Sequence, residues 1–396
     1  MFRKHQSVYN YPLNISAIFF NGSTPMKDSL TVLYITSENT TTSIPLELAT
    51  YMRKSDRINL HIVSFYGAVP GEPLSFAKNV IDLNIPKSSI KGAFSKVNKL
   101  IKETKPDILH VHHNFSALIA MLAARYNKVK LVVKTEHNDH RFAKWHQKIL
   151  NIPILSLADI VICNSVSTKD SFNSLEKLVA GKKAIPIYNG ININKIIAFS
   201  TDENRRQLRE KYGVAPKERL FVCAARLIKQ KNIENLIKGF TAASYENQNI
   251  RLLIAGAGNL YEDLLAVKNS WDKFNKVQFL GILPREEVFK LINAADFFVM
   301  LSLWEGFCNA VVEAMVAKCP VVCSDIVTLR EVVGEEVGYF VHPKSPDEIK
   351  KAILKFASYD QISIDALGEK SFKRAAELFD IESTAKQYID QYLKVR

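Results

Sequence analysis

The sequence predicts an α/β protein built from two doubly wound units, each a parallel sheet with helices on both faces. Three observations carry this. Short apolar runs ending in small polar residues recur, helical patterns separate them, and the alternation breaks off in a polar, irregular stretch near 189–216 before it restarts. A parallel strand buried on both faces reads as a continuous apolar run, and a crossover helix must follow it. At 396 residues the chain is also longer than one hydrophobic core usually organises.

In the first unit "LTVLYITS" is a strand, "SIPLELATYMRKS" a helix and "INLHIVSFY" the next strand. Helix "AFSKVNKLIKET", strand "DILHVHH", helix "FSALIAMLAARY", then strands "KLVVKTEH" and "DIVICNS" complete it. The second unit runs from strand "RLFVCAAR" through "IRLLIAGAG", "KVQFLGI", "DFFVMLS" and "PVVCSD" to "GYFVHP", with a helical pattern between each pair. Ligands of such sheets bind beyond the carboxyl ends of the strands, so the strand-to-helix turns hold the candidate chemistry.

Composition narrows the class. Apolar residues make up 47% and charged residues 23%, an ordinary globular profile. Five cysteines, an odd number without CxxC spacing, point to buried thiols in a reducing cytosol and not to disulfides or zinc. No apolar run reaches the roughly 18 to 20 residues that span a bilayer. The first 28 residues, an irregular extension, do not read as a signal peptide, so the sequons at Asn14 and Asn21 are expected to stay unmodified. Of the net charge of +13, residues 1–195 hold +12. Such a half suits nucleic acid, an anionic membrane or an acidic substrate. Nucleic acid is not expected, because no recognised module or aromatic-interleaved basic patch is present.

One turn carries two acids eight positions apart, Glu305 and Glu313, in "EGFCNAVVE". The strand before it ends near Ser302, Gly306, Phe307 and Cys308 form a loop, and a helix begins at Asn309. Loop amides and a helix N-terminus make an anion site. Glu305 is then placed for sugar hydroxyls and Glu313 for a ribose diol; the plainer alternative is that both acids only favour a helix start electrostatically. Arg226 and Lys231, just past another strand, fit a diphosphate, although such cations are more often solvated surface charges. Gly256 and Gly258 permit close backbone approach to a flat ligand, or simply make a tight turn. His110 and His112 alternate onto one strand face, but no nearby carboxylate or cysteine completes a metal site with them and His113.

These blocks, from "RLIKQKNIENLIKGF" to "EVVGEEVGYFVHP", resemble the retaining glycosyltransferase family 4 in order from about residue 30 to the C-terminus. The resemblance implies the GT-B fold: two Rossmann-like domains facing across a cleft, an acceptor-side domain at 29–195 and a nucleotide-sugar-binding domain at 196–374. Residues 375–396 resemble the helix that returns to the first domain. The E-x7-E motif then matches Glu305 to the transferred sugar and Glu313 to the ribose, with Arg226 and Lys231 on the diphosphate. His137 in "LVVKTEHND" matches the family's cleft histidine, Ser165 sits beside the cleft, and Asn189-Gly190 enters the linker. The implied reaction moves a hexosyl unit from a nucleoside diphosphate sugar to the hydroxyl of a saccharide or lipid-linked saccharide, with retention, in cell-envelope polysaccharide or glycolipid synthesis. No cofactor or metal is expected, since no D-x-D pair occurs. A GT-B nucleotide-sugar 2-epimerase or a non-catalytic glycosyltransferase-like subunit are the alternatives. The sequence departs from the family at two places: the loop at 36–46 lacks the usual glycines, and Cys308 stands where glycine is common. Lys91, Lys96, Lys99, Lys102 and Lys105 surround an amphipathic segment whose apolar face is Ile90, Phe94, Val97 and Ile101. It reads as a core-facing helix with a solvated basic side, or as a face resting on the anionic inner-membrane surface of a cytoplasmic, peripheral protein.

Overall fold

The computed structural model describes residues 29–40, 43–69, 79–86 and 92–395. The extension at 1–28 with both sequons, residues 41–42 of the glycine-free loop, and Ile90 and Lys91 lie outside them.

The first sheet contains β1 (Leu30–Thr36), β2 (Ile58–Ser64), β3 (Ile81–Asp82), β4 (Ile108–Val111), β5 (Leu131–Glu136), β6 (Ile160–Cys163) and β7 (Ala184–Pro186). The second contains β8 (Arg219–Ala224), β9 (Ile250–Ala255), β10 (Val277–Gly281), β11 (Phe297–Met300), β12 (Val321–Ser324) and β13 (Tyr339–Val341). Every pairing is parallel; the orders are β3-β2-β1-β4-β5-β6-β7 and β10-β9-β8-β11-β12-β13. Each order reverses once, between β1 and β4 and between β8 and β11, and a crevice opens at the carboxyl ends where the flanking connections diverge.

Successive residues of one strand serve different cores, because side chains alternate across a pleated sheet. Leu33 and Ile35 pack against the helices Ala93–Thr104, Asn114–Tyr126 and Trp145–Leu157. Val32 and Tyr34 pack against the helices Ile44–Met52 and Ile381–Tyr392. In the second sheet Phe298 and Met300 belong to one cluster, Phe297 and Val299 to another. Both faces of both sheets are therefore covered, which is why most of the strands read as largely apolar runs. All five cysteines are free and buried.

The chain crosses between the domains twice, side by side. Ile191 and Asp380 form a parallel bridge, and the Ile191 amide donates to the Phe379 carbonyl at 2.7 Å. The final helix then buries Tyr388 and Tyr392 in the first domain, and the Tyr392 hydroxyl lies 2.5 Å from Nδ1 of His110.

Several elements differ from the sequence reading. The helix Trp145–Leu157 was not expected, since Pro153 reads as a breaker. Proline strips a hydrogen bond from the carbonyl of Ile149, and Ile149 is exposed, so water can replace it. The irregular stretch near 189–216 contains the helices Ile193–Ile197 and Asp202–Lys211, and Arg205 and Arg209 of the latter both pair with Asp296 at the start of β11. The edge strands β3 and β7 are too short to show in the pattern. In Ala93–Thr104, Val97 and Ile101 face the core as expected of a core-facing helix, but Phe94 turns outward. Among the described residues no helix is long and apolar enough to cross a membrane.

Candidate functional site

The turns after β1, β4, β5 and β6 face those after β8 and β11 across a cavity of about 830 Å³. That volume falls in the usual range for small-molecule sites. The first domain contributes Glu38, His113, His137 and Asn164; the second contributes Arg226, Lys231 and Glu305 through Ala310.

In the second domain the wall is cationic and amide-rich. Arg226 follows β8 and is exposed, and its guanidinium has no hydrogen-bond or ion-pair partner among the described residues. Lys231 ends a short 3-10 turn that lets its chain reach Glu305, and the two pair by Nζ and Oε1. Burial works against the lysine's charge, but Cys308 and Glu305 outweigh it and raise its pKa. Oε1 of Glu305 also accepts from Ser302 Oγ at 2.6 Å, and Gln230 donates to Oε2 at 3.4 Å. The helix Asn309–Val316 has no side-chain cap, and Asn309 and Ala310 at its start line the cavity. The Val311 amide donates to the Cys308 carbonyl at 3.1 Å, which leaves the amides of Asn309 and Ala310 toward the cavity, where the helix dipole favours an anion.

Cys308 adopts φ of 80°, a left-handed conformation that costs a side-chain-bearing residue on the order of 1–3 kcal/mol. Thus the loop keeps a glycine-like path with cysteine in it. Gly306 is required for a different reason: a Cβ there would stand 2.0 Å from the His137 carbonyl oxygen of the other domain.

The first-domain wall is a histidine array. Nδ1 of His112 lies 3.0 Å from Nε2 of His137, and the His112 and His113 rings both stack on His137. Burial, then the positive potential of His113 and Lys134, lowers the His137 pKa to about 3. Burial and Lys134 lower that of His113 to about 4. Both rings are neutral at neutral pH. The alternation expected for His110 and His112 holds, their rings stacking at 4.5 Å. His110 is occupied by Tyr392 and by Thr135 Oγ1 at 2.7 Å.

Behind this array lies a network that sequence reasoning missed. Lys134, wholly buried in β5, donates from Nζ to the carbonyls of His112 at 2.5 Å and Thr135 at 2.6 Å, and sits 3.1 Å from Glu136 Oε1. Burial raises the pKa of Glu136, but Lys134 and His140 outweigh it and hold it at about 2. Burial lowers His140, but hydrogen bonds to Glu136 and Glu176 lift it to about 9. Lys-x-Glu inside an apolar strand was the available signal.

Of the expected site residues, the fold gathers His137, Arg226, Lys231, Glu305, Gly306, Phe307, Cys308 and Asn309 on one cavity. Gly256 and Glu313 are not on its wall. Gly256, at φ of 136°, closely approaches its own chain: a Cβ would meet the Ala225 carbonyl at 1.9 Å. Glu313 is 1% exposed and paired with Arg285, whose partnership the sequence did not reveal. Burial raises the Glu313 pKa and Arg285 opposes it. Ser165 does sit beside the cleft, donating from Oγ to the Gly306 carbonyl at 2.7 Å, and Asn189 donates to Asn309 Oδ1 at 3.1 Å. Glu38, on the glycine-free loop, is a cavity carboxylate that no motif announced.

Residues 46–195 match the family profile described as Glycosyltransferase Family 4, and residues 204–374 match Glycosyl transferases group 1. An uncharacterized glycosyltransferase of Methanocaldococcus jannaschii is 31% identical over 233 residues, 59% of each chain. The alpha-monoglucosyldiacylglycerol synthase of Streptococcus pneumoniae is 25% identical over 298 residues, 72% of this chain and 67% of that one. A Campylobacter jejuni N-acetylgalactosaminyltransferase named for a diphospho-undecaprenol acceptor is 26% identical over 296 residues, 71% and 74% of the two chains. The chain spans about three fifths of the first two curated relatives, 59% and 62% of their lengths. Among solved structures, Anabaena HepE in complex with UDP and glucose superposes with a TM-score of 0.77 at 17% identity, over 92% of this chain and 100% of that one. A Rickettsia africae glycosyltransferase gives 0.77 at 17% identity, over 93% and 99%. At such identity the likeness concerns the fold: two Rossmann-like domains.

Proposed function

The chain belongs to the family 4 glycosyltransferases of GT-B fold, and from that premise we propose that it moves a hexosyl unit from a nucleoside diphosphate sugar to an acceptor hydroxyl with retention of configuration. The observation that carries the reading is the cavity wall after β8 and β11. It sets an unpartnered guanidinium, a lysine and an uncapped helix N-terminus around one space, opposite neutral His137.

Expelling the diphosphate builds negative charge on the leaving group while positive charge grows at the anomeric carbon. Arg226, Lys231 and the amides at Asn309 and Ala310 are aimed at that negative charge, so they favour the transition state over the ground state. Glu305 steers the transferred sugar and holds Lys231 in place. For attack on the leaving-group face, the departing phosphate takes the acceptor's proton, and His137 orients the sugar by a hydrogen bond without adding a charge. The ribose contact of Glu313 requires its carboxylate to turn from Arg285. The closed cleft excludes water and so limits hydrolysis of the donor. The names of the relatives, a monoglucosyldiacylglycerol synthase and a transferase to a diphospho-undecaprenol-linked saccharide, support an acceptor that is a lipid or a lipid-linked saccharide.

Arg226→Ala is the direct test, since the exposed guanidinium supports no other contact. Titration calorimetry should give about tenfold or more weaker binding of the preferred UDP- or GDP-sugar, the scale of one charge-assisted pair. Absence of binding by the native chain to UDP, GDP and their hexose conjugates would falsify the reading.

A further inference from the structure

His137 is held by a neighbour to which the reaction as proposed gives no part. Nδ1 of His112 lies 3.0 Å from Nε2 of His137, a contact between two imidazoles that needs one proton and one lone pair. Both rings are neutral at neutral pH, because burial, and then the positive potential of neighbouring histidines and Lys134, lowers both pKa values. Each ring therefore has a single N–H. Which nitrogen carries it decides what His137 offers to the cavity.

His112 is fixed on every side. It is 2% exposed, the Tyr34 ring stands 4.6 Å from it, and the His110 ring stacks on it at 4.5 Å. Lys134 Nζ donates to its carbonyl at 2.5 Å, so the backbone beneath the ring is held by a buried ammonium. Its other ring nitrogen, Nε2, is buried with no hydrogen-bond partner among the described residues. His113 also stacks on His137, at 5.9 Å, but makes no hydrogen bond to it. Among the described residues only His112 engages a ring nitrogen of His137.

The orphan nitrogen settles the tautomer. A proton on His112 Nε2 would be a buried N–H with nothing to bond, and in folded proteins such donors are rarer than acceptors left without a donor. His112 therefore carries its proton on Nδ1 and donates it to Nε2 of His137. With Nε2 accepting, the neutral His137 ring keeps its own proton on Nδ1. That nitrogen has no partner among the described residues, and its side chain lines the cavity.

We infer that His112 is a positioning residue that fixes the tautomer of His137, so that His137 meets the transferred sugar as an Nδ1–H donor and not as a base. The lone pair on its Nε2 is already occupied, which leaves the acceptor's proton to the departing phosphate. The effect on rate rests on the proposed transfer reaction. The tautomer is read without any sugar nucleotide, so either can fail alone.

In the full chain with isotope-labelled histidine ring nitrogens, long-range proton–nitrogen correlation spectra distinguish a protonated from a bare nitrogen. His112→Phe and His137→Gln assign the two rings. Both should carry hydrogen on Nδ1 and none on Nε2 at neutral pH. In His112→Phe, which keeps a packing ring and removes the donor, the His137 proton should move to Nε2. Release of UDP or GDP from the preferred hexose donor should then slow about tenfold, the scale of one hydrogen bond, and in kcat more than in donor KM. His112→Asn sets an amide donor where Nδ1 stands and should restore both the Nδ1 proton and turnover, which a ring that only fills space would not explain. The inference is overturned if native His137 carries its proton on Nε2, a result that needs no variant to fold beyond the assignment. It is overturned too if His112→Phe leaves the His137 tautomer or the release rate as in the native chain, or if Asn restores neither.

Discussion

Glu305 and Lys231 illustrate how burial changes what a substitution tests. The pair is nearly closed off, with side-chain exposures of 7% and 13%. Glu305→Ala would leave a buried ammonium unpaired, a loss on the order of 3–5 kcal/mol, so inactivity of that variant mixes chemistry with folding. Glu305→Gln keeps the shape and the Ser302 contact. We expect transfer to fall about 100-fold or more with Gln, on the scale of one lost transition-state contact, while the urea midpoint drops further with Ala, which removes the accepting oxygen as well as the charge. The histidines make a second prediction. His113 and His137 have folded pKa values of about 4 and about 3, below the ordinary histidine value of about 6.5. Their contribution is whole above that value and lost as pH falls below it. His140, at about 9, behaves oppositely: its contribution is whole below about 6.5 and lost as pH rises through 9. These groups together place maximal stability near pH ~6.5. A fluorimetric melting series should decline on both sides, and His140→Gln should flatten the alkaline limb.

At the scale of elements, the last helix decides how well the site is held. Tyr392 is fully buried, and its hydroxyl is the partner of His110, one strand position pair away from the histidines of the cleft. Tyr392→Ala should lower the unfolding free energy of the first domain by about 3–5 kcal/mol, the usual cost of removing a large buried ring. Tyr392→Phe should cost about 1–3 kcal/mol, because it leaves a buried imidazole nitrogen unsatisfied. Denaturant unfolding followed by tyrosine and tryptophan fluorescence separates the two. The helix Trp145–Leu157 and the connector helices show the limit of pattern reading at this scale. Pro153 and a charged stretch look like interruptions, yet packing on neighbouring helices and the Asp296 ion pairs stabilise helix in both places. The long apolar strands were legible because both of their faces are buried, so their composition alone announces them.

For the molecule as a whole, a latch beside the cleft sets the spacing of the domains. Both carboxylate oxygens of Glu331 in the second domain accept from first-domain amides, Val166 at 2.6 Å and Ser167 at 2.8 Å. Ser165 and Thr168 donate to the Gly306 carbonyl, and Thr328 donates to that of Glu305 at 2.9 Å. Because the latch grips the backbone of the loop that carries Glu305, closure and loop position are coupled. Glu331→Ala should widen the distance distribution in small-angle X-ray scattering and reduce kcat, while donor binding by calorimetry stays within about twofold, the scale expected for a rim contact away from the ligand.

The two parallel sheets, the turns where chemistry would sit, and most residues of the second-domain wall of the cavity were legible in the sequence, since apolar runs and the E-x7-E block are local patterns; of the first-domain wall, His137 alone was expected as a site residue. Tertiary structure alone decided that Gly306 answers to the His137 carbonyl, that Glu313 is turned to Arg285, and that Gly256 serves its own strand pair. It also decided that Lys134 and Glu136 form a charged core behind the histidines and that Phe94 turns outward. The physical reason is the same throughout: a side chain's partner across a domain boundary, or its exposure on a packed helix, depends on contacts between residues far apart in the chain, which no local pattern encodes.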